Sequence, residues 1–280
     1  MKRVLLIAKL TFKEICRSRI YGFIVIFAFI SSISIHLFSE FGSQEQDKLL
    51  QDIGLATITF FSLVLGIVLG VTSIQNDFET RSIYTVLAYP ISGFQYLLGK
   101  FAGVVFLIFL AMSSMIFLFY FNLVVQKLNF LLYDAERTLS YSFILREALR
   151  DGLFKNLELL KAFLAIFLQC SMTCSISFLL ANWLSAPFAM SGTIFLFLLG
   201  HVSGFVLNVS FLYHRVMGYI ASLLLIWLPN FENFNIADAI VLGQKVSWAY
   251  MSYLGIYCLI LLVFFLGLAN QRLYFKISEL

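Results

Sequence analysis

Phe101-Ala-Gly-Val-Val-Phe-Leu-Ile-Phe-Leu-Ala-Met-Ser-Ser-Met-Ile-Phe-Leu-Phe-Tyr-Phe-Asn-Leu-Val-Val125 carries no Asp, Glu, Lys or Arg. A helix rises about 1.5 Å per residue, so this run is long enough to cross the roughly 30 Å hydrocarbon layer of a bilayer. Five further runs share the property: Tyr21–Phe38, Ile53–Ile74, Ala162–Trp183, Pro187–Leu212 and Trp248–Leu268. All nineteen Lys/Arg and all fifteen Asp/Glu lie outside the six runs, as expected where a central charge costs several kcal/mol in lipid. Only 12% of the 280 residues are charged and 61% are hydrophobic, whereas a soluble domain carries about 25% charged residues. The reading is an all-α polytopic membrane protein with six transmembrane helices in a single domain spanning residues 1–280.

A seventh apolar run, Val216–Leu228, is short and ends at Pro229. Runs of that length are commonly re-entrant, so residues 213–247 are expected to hold an outer half-helix. Tyr21–Phe38 is long for a signal-peptide core and lacks a small-residue cleavage site, so it reads as a retained first span.

Charge sets the orientation. Lys2, Arg3, Lys9, Lys13, Arg17 and Arg19 precede the first run against Glu14, whereas the loop Ser39–Asp52 holds Lys48 against four acids. The positive-inside rule then places the N-terminus in the cytoplasm. Six crossings return the C-terminus there, in agreement with Arg272 and Lys276. The segment Gln126–Lys161 falls outside despite its six basic residues. Within it Leu145, Leu149, Leu153 and Leu157 recur at helical spacing, which predicts an amphipathic helix on the outer surface.

Catalytic and metal patterns are weak. Cys16, Cys170, Cys174 and Cys258 form no CxxC or zinc pattern. Cys170 and Cys174 share a helix face and read as packing residues, as do the lone His36 and His201. Ser203 follows His201 by two positions, too close to share a helix face with it. Gly93–Lys100 resembles a phosphate-binding loop, but it has five residues between its glycines and Phe101 where Ser or Thr is required. The chain is therefore read as not itself an enzyme, with no cofactor of its own, no metal site and no basic run for nucleic acid. Without mid-membrane charges an ion-coupled secondary transporter is disfavoured. It stays open as an alternative, as does a non-transporting membrane scaffold or assembly factor.

The most informative polar stretch is Gln75–Lys100. It contains E-T-R-S-I-Y-T-V-L-A-Y-P-I-S from Glu79 to Ser92 and L-L-G-K from Leu97 to Lys100. Ile83, Val86 and Leu87 would form the apolar face of an amphipathic helix from Glu79 to Tyr89, stopped by Pro90. This stretch resembles the loop between the second and third spans of the type-2 ABC transporter permease family. Thr11-Phe-Lys-Glu14-Ile-Cys-Arg17-Ser-Arg19 is similar to that family's amphipathic elbow helix. Leu228–Asn235, with Pro229, Asn230 and Phe234, looks like an outer segment in the branch that includes the permease of nitrous-oxide reductase copper-site assembly.

The resemblance implies a permease subunit of an ABC exporter in the bacterial inner membrane. Residues 75–100 would be a cytoplasmic coupling loop, with Glu79, Thr80, Arg81, Ile83, Tyr84, Val86, Leu87 and Pro90 meeting a separate ATPase subunit. Residues 1–20 would be the elbow helix, with Lys13, Glu14, Arg17 and Arg19 on it. A second permease copy and membrane lipid are the other implied partners. ATP and Mg would be bound by the ATPase, and the cargo is unnamed.

Overall fold

The computed structural model describes residues 2–16, 22, 26, 30, 43–83, 91–134, 146, 158–213 and 228–278. Every regular element among them is a helix: α1 (Lys2–Cys16), α2 (Ser43–Glu79), α3 (Gly93–Asp134), α4 (Leu159–Trp183), α5 (Ala186–Tyr213), a 3-10 turn (Glu232–Phe234), α6 (Ala237–Val241) and α7 (Trp248–Ser278). Five of these, α2, α3, α4, α5 and α7, contain stretches long and apolar enough to cross a membrane. They coincide with five of the six apolar runs. Tyr21–Phe38, the half-helix of Val216–Leu228 and the Leu145–Leu157 helix lie almost wholly outside the described residues.

The helices overrun the apolar runs. Ser43–Asp52, expected as a loop, belongs to α2. Gln44, Glu45, Gln46, Lys48 and Leu49 are good helix formers, and acids near a helix N-terminus suit its dipole. Likewise α3 continues through Gln126 to Asp134, so the segment expected outside begins as helix. At its other end the Gln95 N–H donates to the Ser92 hydroxyl at 3.3 Å, an N-cap that starts α3 well before Phe101.

α4 is the central element and packs against α2, α3, α5 and α7. Its Ser171, Thr173, Ser175 and Ser177 hydroxyls donate to carbonyls three or four residues back, so these small polar residues are buried with their hydrogen bonds made. Two glycine pairs let neighbouring helices approach closely. On α2, a Cβ at Gly66 would meet Cys170 Sγ at 2.8 Å and one at Gly70 would meet Ser177 Cβ at 2.8 Å. On α3, a Cβ at Gly99 would meet Ile7 Cβ at 2.8 Å and one at Gly103 would meet the Ala8 carbonyl at 2.8 Å. Both have the small-xxx-small spacing that lets helix backbones approach closely.

Leu184 and Ser185 join α4 to α5 in a tight turn. The Gln75 amide of α2 donates to the Ala181 and Leu184 carbonyls, both at 2.6 Å, which satisfies the end of α4. At the opposite end the Lys161 ammonium reaches Glu158 at 2.6 Å and the Val246 carbonyl at 2.8 Å, and lies over the Trp248 ring. Gly243, at φ 81°, ends α6 with paired bonds from its own N–H to Ile240 and from Gln244 to Ala239, a glycine C-cap.

Candidate functional site

Three helix ends converge beside the start of the 79–92 segment. Ser73 and Asp77 are one turn apart near the end of α2. Tyr96 and Lys100 are one turn apart near the start of α3. The two pairs face each other: Lys100 Nζ lies 2.7 Å from Asp77 Oδ2 and donates to the Ser73 carbonyl at 2.7 Å. The Tyr96 hydroxyl donates to the same Asp77 carboxylate. Glu14 of α1 adds a longer contact, 3.9 Å from Lys100 Nζ. Asp77, Lys100 and Tyr96 are buried, whereas Glu14 reaches solvent.

The sequence placed every charge outside the apolar runs, and that arithmetic holds. Three of these charges, Asp77, Lys100 and Lys161, are nevertheless buried in protein. Such burial is tolerable only when each charge is paired and its remaining hydrogen bonds are made. Lys100 and Asp77 meet that condition through each other, Ser73 and Tyr96. A buried pair of this kind fixes geometry more than it adds stability. It holds α2 against α3 at one register, with α1 alongside through Gly99, Gly103 and the Phe12–Phe106 ring contact at 5.5 Å.

The expected helix from Glu79 to Tyr89 does not begin at Glu79, which is the last residue of α2. Thr80 extends the turn, its N–H and hydroxyl both donating to the Asn76 carbonyl at 2.9 and 2.7 Å. The break comes at Arg81, whose φ of 56° is left-handed. Helical geometry resumes at Ser82 and Ile83, and Ile83 is fully buried. Tyr84, Val86, Leu87 and Pro90 lie outside the described residues. Of the elbow residues, Lys13 is exposed on the last turn of α1 and Glu14 joins the Lys100 cluster, while Arg17 and Arg19 lie outside the described residues. α1 turns Ile7, Thr11 and Ile15 inward and leaves Leu5, Leu6 and Leu10 exposed.

The residues expected in the outer segment form a separate group at the far end of the bundle. The Asn230 side chain accepts from the Glu232 N–H at 3.0 Å, and the Asn230 backbone N–H donates to the Tyr257 hydroxyl at 2.9 Å. Phe234 is buried beside Tyr257. Pro229 crosses Gly200, and the Phe231 N–H donates to the Gly200 carbonyl at 3.2 Å. His201 packs beside Phe197 and Phe231, whose rings also meet each other. Cys170 donates to the Ser62 carbonyl, and Ser203 to that of Gly200. Gly93–Lys100 forms the opening turns of α3, with the Lys100 ammonium already engaged.

The described residues form an all-helical bundle with five helices long and apolar enough to cross a membrane, braced at one end by the buried Asp77–Lys100 pair. Searches against protein-family models and against curated proteins give no match for this chain.

Proposed function

We propose that this chain is the membrane-spanning permease subunit of an ABC exporter, acting with a second permease copy and a separate ATPase that binds ATP and Mg. The ATPase docks on residues 79–92, with Tyr84, Val86, Leu87 and Pro90 as the contact and Glu79, Thr80, Arg81 and the buried Ile83 as the link to α2. α1 is the elbow helix at the cytoplasmic surface, its exposed Leu5, Leu6 and Leu10 in lipid. The observation that supports this reading is the Asp77–Lys100 pair. It ties α2 to α3 on either side of the docking segment, and Glu14 brings in α1, so a displacement of the segment moves three helices together. ATP-driven closure of the ATPase pair would then repack the spans and move the cargo outward or out of the bilayer.

The test is affinity purification of the tagged chain in mild detergent. An ATPase with P-loop motifs should co-purify, and its hydrolysis should respond to cargo. Transport by the purified chain alone, driven by an ion gradient without nucleotide, would replace this reading with a secondary transporter.

A further inference from the structure

A cavity of about 650 Å³ opens between the end of α4 and the end of α7. Leu180, Trp183, Leu184 and Leu268 supply its apolar wall, and Gln271 and Arg272 its polar rim. Both helices contain membrane-crossing stretches, ending at Trp183 and Leu273, so the rim lies at headgroup depth. Trp183 and Leu184 are largely exposed there.

Arg272 is the only charged residue among those lining the cavity. Its guanidinium carbon lies 5.3 Å from the centre of the Trp183 ring. It makes no ion pair among the described residues, and its Nε is buried without an acceptor. An indole covers the face of a guanidinium and leaves its terminal in-plane N–H donors uncovered. Those donors suit a phosphate, which can accept two of them at once. A soluble anion would use the rim and leave the leucine-lined space empty. A phosphate carrying an acyl chain fills both.

We infer that this cavity is a binding site for one anionic glycerophospholipid, its phosphate on Arg272 and Gln271 and an acyl chain along Leu180, Leu184 and Leu268. The inference is independent of the transport reading and of which way the chain is oriented.

The delipidated protein is titrated in non-ionic detergent with phosphatidylglycerol or phosphatidylcholine of identical acyl chains, and bound lipid is counted by native mass spectrometry. Both lipids carry the phosphate, but in phosphatidylcholine the choline cation offsets its charge, so the first phosphatidylglycerol should be retained on the order of fivefold better, the scale of one partly exposed charge contact. Arg272→Gln should reduce it to the phosphatidylcholine level, and Arg272→Lys should keep part of the preference. Leu268→Trp, which fills the apolar part, should weaken retention of both lipids and serves as the second variant if Arg272→Gln does not stay monodisperse. Equal retention of the two lipids by the wild type, or an undiminished preference in Arg272→Gln, would overturn the site. Displacement by millimolar inorganic phosphate would show that the occupant is a soluble anion and overturn it equally.

Discussion

The Lys100 ammonium lies 2.7 Å from the Asp77 carboxylate, with the two side chains only 6% and 9% exposed. Each charge is thus held out of water by its partner. Removing one partner from such a pair costs about 3–5 kcal/mol, because the other stays buried and uncompensated. Lys100→Met should therefore lower the thermal unfolding temperature in detergent sharply. Asp77→Asn combined with Lys100→Met should unfold well above Lys100→Met alone. Additive losses in the double variant would show that the two residues do not act as a pair.

The α1–α3 contact depends on a missing side chain. A Cβ at Gly103 would meet the Ala8 carbonyl at 2.8 Å and Thr11 Cβ at 2.9 Å. Gly103→Val should push α1 away while leaving α3 helical, since the added methyls face backbone that has no room to yield. Limited proteolysis should then cut within α1 faster than in the wild type. Equal rates would mean that α1 is held by something other than this packing.

Arg81 redirects the chain from a left-handed conformation, which costs an L-residue roughly 1–2 kcal/mol and a β-branched one more. Arg81→Gly should leave the unfolding temperature unchanged or higher, and Arg81→Val should lower it. The reverse order would contradict the break between α2 and the segment that follows.

Five of the apolar runs were legible because long charge-free stretches have one structural outcome in lipid. Their ends were not. Lys48 and Asp52 are polar yet lie in good helix formers, so hydropathy stopped at Ile53 where α2 does not. The break at Arg81 has no sequence signature, because arginine seldom adopts a positive φ. Asp77 and Lys100 were visible as the first charge after the second run and the last before the third, but their pairing depends on how α2 and α3 meet, which composition does not encode. Gly66 with Gly70, and Gly99 with Gly103, were the one overlooked local signal. Both have the four-residue spacing of close helix contacts, and both are used.

Orientation has its own test in intact cells. Cysteines placed at Gln46 and Asn156 should react with an impermeant thiol reagent from outside, and one at Gln95 should not. Labelling at Gln95 would reverse the orientation and put the proposed docking segment on the wrong side for a cytoplasmic ATPase.

The central claim is that an ATPase grips the segment after α2, and Leu87→Asp tests it most directly. Leu87 falls on the apolar face read from the sequence, so an aspartate there would carry a charge into a contact where desolvation is costly. Membrane accumulation should be unchanged, because the substitution lies outside every apolar run. Quantified by pull-down from membranes, the co-purifying ATPase should be present with the wild type, absent with Leu87→Asp, and only reduced with Glu79→Lys, since Glu79 would sit at the rim. Retention of the ATPase at wild-type levels by Leu87→Asp would contradict the claim.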